Sequence, residues 1–214
     1  MRTFGIMALT LGAAVVITTP AQAQFGRGGG FGFTGYSLLS NKSVQQELKL
    51  EGDQAEKVSK IVNEISAKTR EKLQDIPQDE QREKGAELRR AAEEETKAAV
   101  KGDLKAEQIT RLEQIIRQTQ GLFAFADPTT AEKLSLTDDQ KSKFRELVRE
   151  NGEKMREIRQ NAGDDRQAAM EKLRELRKES LEKVHAALTD DQKKAWKELT
   201  GEPFEVKFER RPNN

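Results

Sequence analysis

The feature that most restricts this chain is that it repeats itself. The letters LTDDQ at Leu136–Gln140 return at Leu188–Gln192, each time ahead of a run rich in Lys and Glu, KSKFREL and KKAWKEL. Leu50 with Gln54, and Leu104 with Gln108, keep the leucine and the glutamine at the same interval. Aligning SVQQELKLEGDQ at Ser43 with TTAEKLSLTDDQ at Thr129, an offset of 86, places Leu48 on Leu134, Leu50 on Leu136 and Val58 on Phe144. The offset falls to 85 where Leu88 meets Leu173 and Ala99 meets Val184, and to 84 where Leu104 meets Leu188 and Leu112 meets Trp196. A repeat of this length means one supersecondary unit written twice, and the fold must accommodate both copies.

Each copy reads as helices. A short helix at about 43–49, and at 128–134 with Asp127 as N-cap and Pro128 at N1, leads into the first Leu-x-x-x-Gln. A long helix follows at about 53–75 and 138–160, then a turn, then a second helix at about 79–100 and 164–187. A closing helix at about 105–119 and 189–199 completes each unit, and Gly201 followed by Pro203 stops the last one. Phe144, Leu147, Val148, Met155 and Ile158 form a stripe at helical spacing, interrupted by Asn151; Met170, Leu173, Leu176, Leu181 and Val184 form the facing one. At 1.5 Å per residue the long helices span roughly 30–35 Å, which is long for so few apolar residues. The expected fold is all-α: two tandem helical-hairpin repeats of long antiparallel amphipathic helices, in a flattened or curved pseudo-dimeric layer.

The pentapeptide has a chemistry of its own. Thr137 can accept the backbone N–H of Gln140 while the Gln140 side chain reaches back to the N–H of Thr137, the capping box. Asp138 and Asp139 place negative charge in the first turn, where the helix dipole favours it. Thr189 and Gln192 repeat the arrangement. The first-unit copies, LEGDQ and LKAEQ, lose the threonine and keep Leu and Gln, so a packing role shared by all four places is expected beside the cap.

The ends differ from the middle. MRTFGIMALTLGAAVVITTPAQA carries one cation, an apolar run and a small-x-small site, the three parts of an export signal over residues 1–23 with cleavage near Ala23. Residues 24–42 begin with QFGRGGGFGFTG and are expected as a flexible lead-in. Helical repeat 1 is then 43–120, an inter-repeat linker 121–127, and helical repeat 2 128–201. Phe123 and Phe125 in that linker are expected to pin one unit to the other. The tail 202–214 alternates Phe204, Val206 and Phe208 with charged residues, which suits a short extended segment lying on the helices or a frayed end.

Composition narrows the function. Without the signal's Arg2, the 38 Lys and Arg become 37, equal to the 37 Asp and Glu. A neutral chain gives no reason to expect nucleic acid or an anionic membrane as partner, and no run after the signal has membrane length. Cysteine is absent. His185 is the only histidine, and with Glu182 it makes half of a di-iron pattern that needs a second pair. Near a helix C-terminus it reads as a dipole partner. Acidic pairs such as Asp138–Asp139 sit where helix starts want them, and no serine or threonine has a base. The sequence therefore predicts no catalytic, cofactor or metal residues.

LTDDQ twice, with Leu-x-x-x-Gln twice more, in an exported, Lys/Glu-rich helical chain, resembles the LTxxQ-motif family of Spy and CpxP over about residues 43–200. The motif residues are Leu50, Gln54, Leu104, Gln108, Leu136, Thr137, Gln140, Leu188, Thr189 and Gln192. The resemblance implies a periplasmic or secreted protein built of long antiparallel helices, acting as an ATP-independent chaperone for unfolded proteins or as a stress-response regulator of a sensor. Family members carry one motif pair per chain and form cradle-shaped homodimers. Two pairs here imply a monomer that imitates the dimer, with a homodimer as the alternative. Phe123, Phe125, Phe144 and Trp196 are expected to shape the core and rim. The alternative from another class is a structural or assembly protein of the envelope with a permanent helical partner.

Overall fold

The computed structural model describes residues 35–207, apart from 82 and 164. The export signal, the lead-in up to residue 34 and the tail from 208 lie outside these residues. All regular structure among the described residues is helical. A 3-10 turn, Gly35–Ser40, leads into α1 (Lys42–Glu47), α2 (Gln54–Gln74), α3 (Glu83–Val100) and α4 (Ala106–Gln120). A second 3-10 turn, Gly121–Ala126, leads into α5 (Pro128–Lys133), α6 (Asp138–Gln160), α7 (Arg166–Ala187) and α8 (Asp190–Thr200).

Burial corrects the end of the expected lead-in. The Gly-rich text predicts a flexible lead-in through residue 42, yet Tyr36, Leu38 and Leu39 are buried in a core. Residues 121–127, the expected linker, hold the second 3-10 turn, in which Leu122, Ala124 and Phe125 are buried. GYSLLSN and GLFAFAD occupy matching places 86 residues apart. Each starts from a glycine with positive φ, +61° at Gly35 and +56° at Gly121, a conformation that only glycine adopts cheaply. Each ends on a side-chain N-cap. The Asn41 Oδ1 accepts from Ser43 N at 2.9 Å and Val44 N at 3.2 Å, and the Asp127 Oδ1 accepts from Thr130 N at 2.9 Å.

The short helices then stop in the same way. Lys49 and Ser135 lie in the left-handed region at φ 50° and 48°. Leu50 N donates to Gln45 O and Lys49 N to Gln46 O, both at 3.0 Å, and Leu136 N and Ser135 N do the same to Ala131 O and Glu132 O at 2.9 Å. This is the paired-bond helix stop that normally recruits glycine, and its hydrophobic partner position falls on Leu50 and Leu136. The leucine of each first motif thus closes one helix and the glutamine opens the next.

The long helices fold back on each other in pairs, α2 with α3 and α6 with α7. Along α6 and α7, Gln140 meets Ala187 at one end and Asn151 meets Ser180 midway, with the turn at the other end. Burial shifts the expected register. Val100 and Val184 are buried at 0% and 1% exposure, and Ala99 is exposed, so 84 rather than 85 relates α3 to α7. Thr96 and Ser180 agree: both are buried, and both turn their hydroxyl to the carbonyl four residues back, Ala92 O at 2.7 Å and Leu176 O at 2.6 Å. Phe144 is fully buried, whereas Leu147, Val148, Met155 and Ile158 are half-buried. The polar Asn151, which breaks the apolar stripe, is buried with its amide donated to Ser180 Oγ at 2.6 Å.

Two cores result. The first gathers Tyr36, Leu38, Leu39, Val44, Val58, Val100, Leu112 and Ile115, and also takes in Val206 from the C-terminal segment. The second gathers Leu122, Phe125, Leu134, Leu136, Phe144, Val184 and Leu188, with Trp196 packed against them. Phe125 lies 5.5 Å from Phe144 edge-to-face and 4.3 Å from Trp196. Phe125 therefore packs in the second core, and Phe123 is 44% exposed. α4 and α8 join the units through Gln118 Nε2 to Thr200 O, Arg117 to Leu199 O at 3.4 Å and Gln114 to Glu198 O at 3.4 Å. These bonds supply partners to the last carbonyls of α8, which have none within the helix.

Candidate functional site

The four motifs meet in two pairs. Gln140 Nε2 donates to Gln192 Oε1 at 2.8 Å, and Gln192 Nε2 returns the bond to Gln140 Oε1 at 2.8 Å. Gln54 and Gln108 do the same at 2.8 and 3.2 Å. The second proton of each amide goes to a carbonyl across the pair. Gln140 reaches Ala187 O at 2.9 Å, Gln192 reaches Ser135 O at 3.4 Å, Gln108 reaches Leu48 O at 3.1 Å, and Gln54 reaches Asp103 O. Each oxygen also accepts a backbone N–H from its own helix start: Thr137 at 3.1 Å, Thr189 at 3.0 Å, Lys105 at 2.9 Å and Glu51 at 3.3 Å.

Each amide therefore uses both of its protons and both of its lone pairs. That accounting explains the residue choice. A glutamate pair would set two carboxylates face to face with no donor between them, and an alanine would leave its partner's amide short of a bond. It also explains why glutamine persists where threonine is lost. At Thr137 and Thr189 the hydroxyl accepts from Gln140 N at 3.2 Å and Gln192 N at 3.3 Å, completing the box. At Lys105 the ammonium has no lone pair to offer, so only half of the box forms. At Glu51 the next residue is Gly52 with φ +51°, and α2 starts only at Gln54. Leu104, Leu136 and Leu188 are buried at these corners, and Leu50 packs against the first core. Sequence reasoning missed that the glutamines bond to each other, since the partners stand 52 and 54 residues apart.

A second polar cluster sits where the units touch. Glu93 accepts from Tyr36 N at 2.8 Å, and the Tyr36 hydroxyl donates to Glu113 Oε1 at 3.4 Å. Glu113 is bridged by Arg117 at 3.0 Å, and by Lys97 and Lys133 at 3.9 Å. Burial, then the Glu113 charge and hydrogen bond, push the Tyr36 phenol well above its ordinary range. Burial also raises the Glu93 carboxyl, against the lowering effect of the Tyr36 N–H. The 84-residue register puts Arg177 opposite Glu93, with reversed charge and a matching job. Arg177 donates to Gln118 O at 3.2 Å and Thr119 O at 3.4 Å beside Gly121, and burial lowers its pKa. Gly121 follows a helix with free carbonyls and needs a donor. Tyr36 offers an N–H and needs an acceptor. The cluster thus completes backbone hydrogen bonding on both sides.

An open groove of about 520 Å³ lies where α6 and α7 meet their connecting turn, lined by Ile158, Ala168, Ala169 and Leu176 between Lys154, Glu157 and Lys172. His185 is half-buried in the last turn of α7. Among the described residues no cluster of three or more His, Asp or Glu comes together to hold a metal ion, and no helix is long and apolar enough to cross a membrane. The chain matches none of the family models, curated proteins or solved structures with which it was compared.

Proposed function

We propose that the chain is an exported, Spy/CpxP-like helical binding protein that holds unfolded or partner proteins transiently on an amphipathic surface, without ATP, as a chaperone or an envelope-stress regulator. The observation that carries this is the surface. Phe123 is the large hydrophobic side chain left exposed among the described residues. A permanent helical partner would need a contiguous apolar face. Small apolar patches interrupted by both signs of charge, as in the groove between α6 and α7, suit weak and reversible contact instead. The paired glutamines support the motif resemblance, because each Leu-x-x-x-Gln has a structural partner and two such frames stand in one chain. A single chain then supplies what a dimer would, and a stable monomer is expected in solution.

The test is aggregation suppression. Protein starting at Gln24 is mixed at stoichiometric amounts with a chemically denatured client, and light scattering is followed at several salt concentrations. Reduced scattering supports the reading; unchanged scattering at every salt concentration removes it.

A further inference from the structure

The segment after α8 belongs to the core of the other unit. Past Gly201 the chain runs across α4, and Val206, 2% exposed, joins Tyr36, Leu38, Val44 and Ile115 in the first core. Phe204 packs against the same core, while Glu205 and Lys207 are exposed, so burial alternates with the period of an extended strand. Side chains hold the main chain throughout. Arg111 Nη1 and Gln118 Nε2 donate to Glu202 O at 2.9 and 2.8 Å, and Gln118 Oε1 accepts from Phe204 N at 2.8 Å. Ser43 Oγ accepts from Lys207 N at 3.0 Å, and Asn41 Nδ2 donates to Lys207 O at 2.8 Å. The Arg111 guanidinium lies 6.0 Å from the Phe204 ring.

Every polar contact in that set goes to a peptide group. Among the described residues 202–207, the identity of the segment enters through two apolar side chains two positions apart. Backbone bonds for affinity and alternate pockets for selection are the chemistry by which proteins bind extended peptides. The matching place in the second unit has Asp127 where Asn41 stands, and a carboxylate has no N–H to give to a strand carbonyl. The equipment is specific to the first unit.

We propose that the groove between α1 and α4 is a binding site for extended peptide segments bearing apolar residues at alternate positions, filled in cis by residues 202–207. This deepens the binding-protein reading and rests on it for the source of such segments, the exposed stretches of unfolded proteins. The tethered tail is a competitor at high effective concentration, so a segment in trans enters only when it displaces the tail.

The test uses the full exported chain and a fluorescent peptide of residues 202–214. Two proteins are compared: wild type and F204S/V206S. The double-serine variant is expected to bind the peptide at least tenfold more tightly than wild type. A peptide of unrelated sequence that keeps Phe-x-Val should bind as the tail does, and one with serine at both places should not. Equal binding to the two proteins, or no binding by a double-serine variant with native helix content, overturns the inference. Aggregation suppression by the same two proteins decides the broader reading separately.

Discussion

The two units use one frame and fill it differently. Leu39, Val58 and Leu112 of the first correspond to Phe125, Phe144 and Trp196 of the second. Three aliphatic side chains occupy the places of three rings, of which Phe125 touches both of the others. The second core closes with residues of its own unit, whereas the first recruits Val206 from beyond α8. The caps differ in the same sense: two threonines complete the boxes in the second unit, and the first has neither. What the frame requires in both is the glutamine pair and the glycine that opens each 3-10 turn. Core volume and helix-start chemistry are what it tolerates losing, provided something else seals the unit.

The largest break should come at the ring that anchors the second core. Phe144→Ala should cost about 3–5 kcal/mol, read from urea unfolding, because a fully buried aromatic leaves a cavity. Next comes the amide pair. Gln108 is buried and Gln192 is only half so, so Gln108→Ala should lie toward the upper end of the ~1–3 kcal/mol range for an orphaned buried partner, and Gln192→Ala toward its lower end. Equal losses would mean that the pairs are not shielded differently. Val206→Ala should cost about 2 kcal/mol, and hydrogen exchange should locate the loss: protection falls in α1 and α4 and is kept in α6. Uniform loss would show that the tail serves both units equally.

The first unit can also be moved toward the second. Lys105 has φ −71° and ψ 156°, close to the −69° and 165° of Thr189, so Lys105→Thr should complete the missing box and gain ~0.5–1 kcal/mol in the same unfolding assay. The smallest effect concerns Glu93. Burial raises its folded pKa, so the folded state resists ionisation and loses that favourable contribution as pH rises through the raised value. Glu93→Gln keeps an oxygen for Tyr36 N–H and does not ionise. Its stability relative to wild type should therefore grow as pH rises above about 4, the range where an unfolded glutamate ionises; a constant difference would contradict the shift.

Much of this was legible in the letters. The starts of α6 and α8 follow from a capping box, whose chemistry lies within four residues. The sealed 3-10 turn at Gly35–Ser40 was missed because Gly-rich text precedes it, although Gly35 and Asn41 stand 86 residues before Gly121 and Asp127. The glutamine pairs, Asn151 with Ser180, and the tail with Asn41 join positions 29 to 166 residues apart. No local pattern encodes such partners. A buried asparagine breaking an apolar stripe was the one visible sign that a polar partner had to exist.

The joints between helices in both frames are neutral. An amide pair carries no net charge, takes up no proton and draws no counter-ions, so acid, alkali and salt act on it far less than on the ion pairs of the surface. A protein hinged in this way keeps its corners when the surrounding medium changes and lets its charged faces respond instead. Its weak point is chemical rather than ionic. Hydrolysis of one such amide to the acid would set a carboxylate against its partner's oxygen, and a corner that pH cannot open would be opened by age.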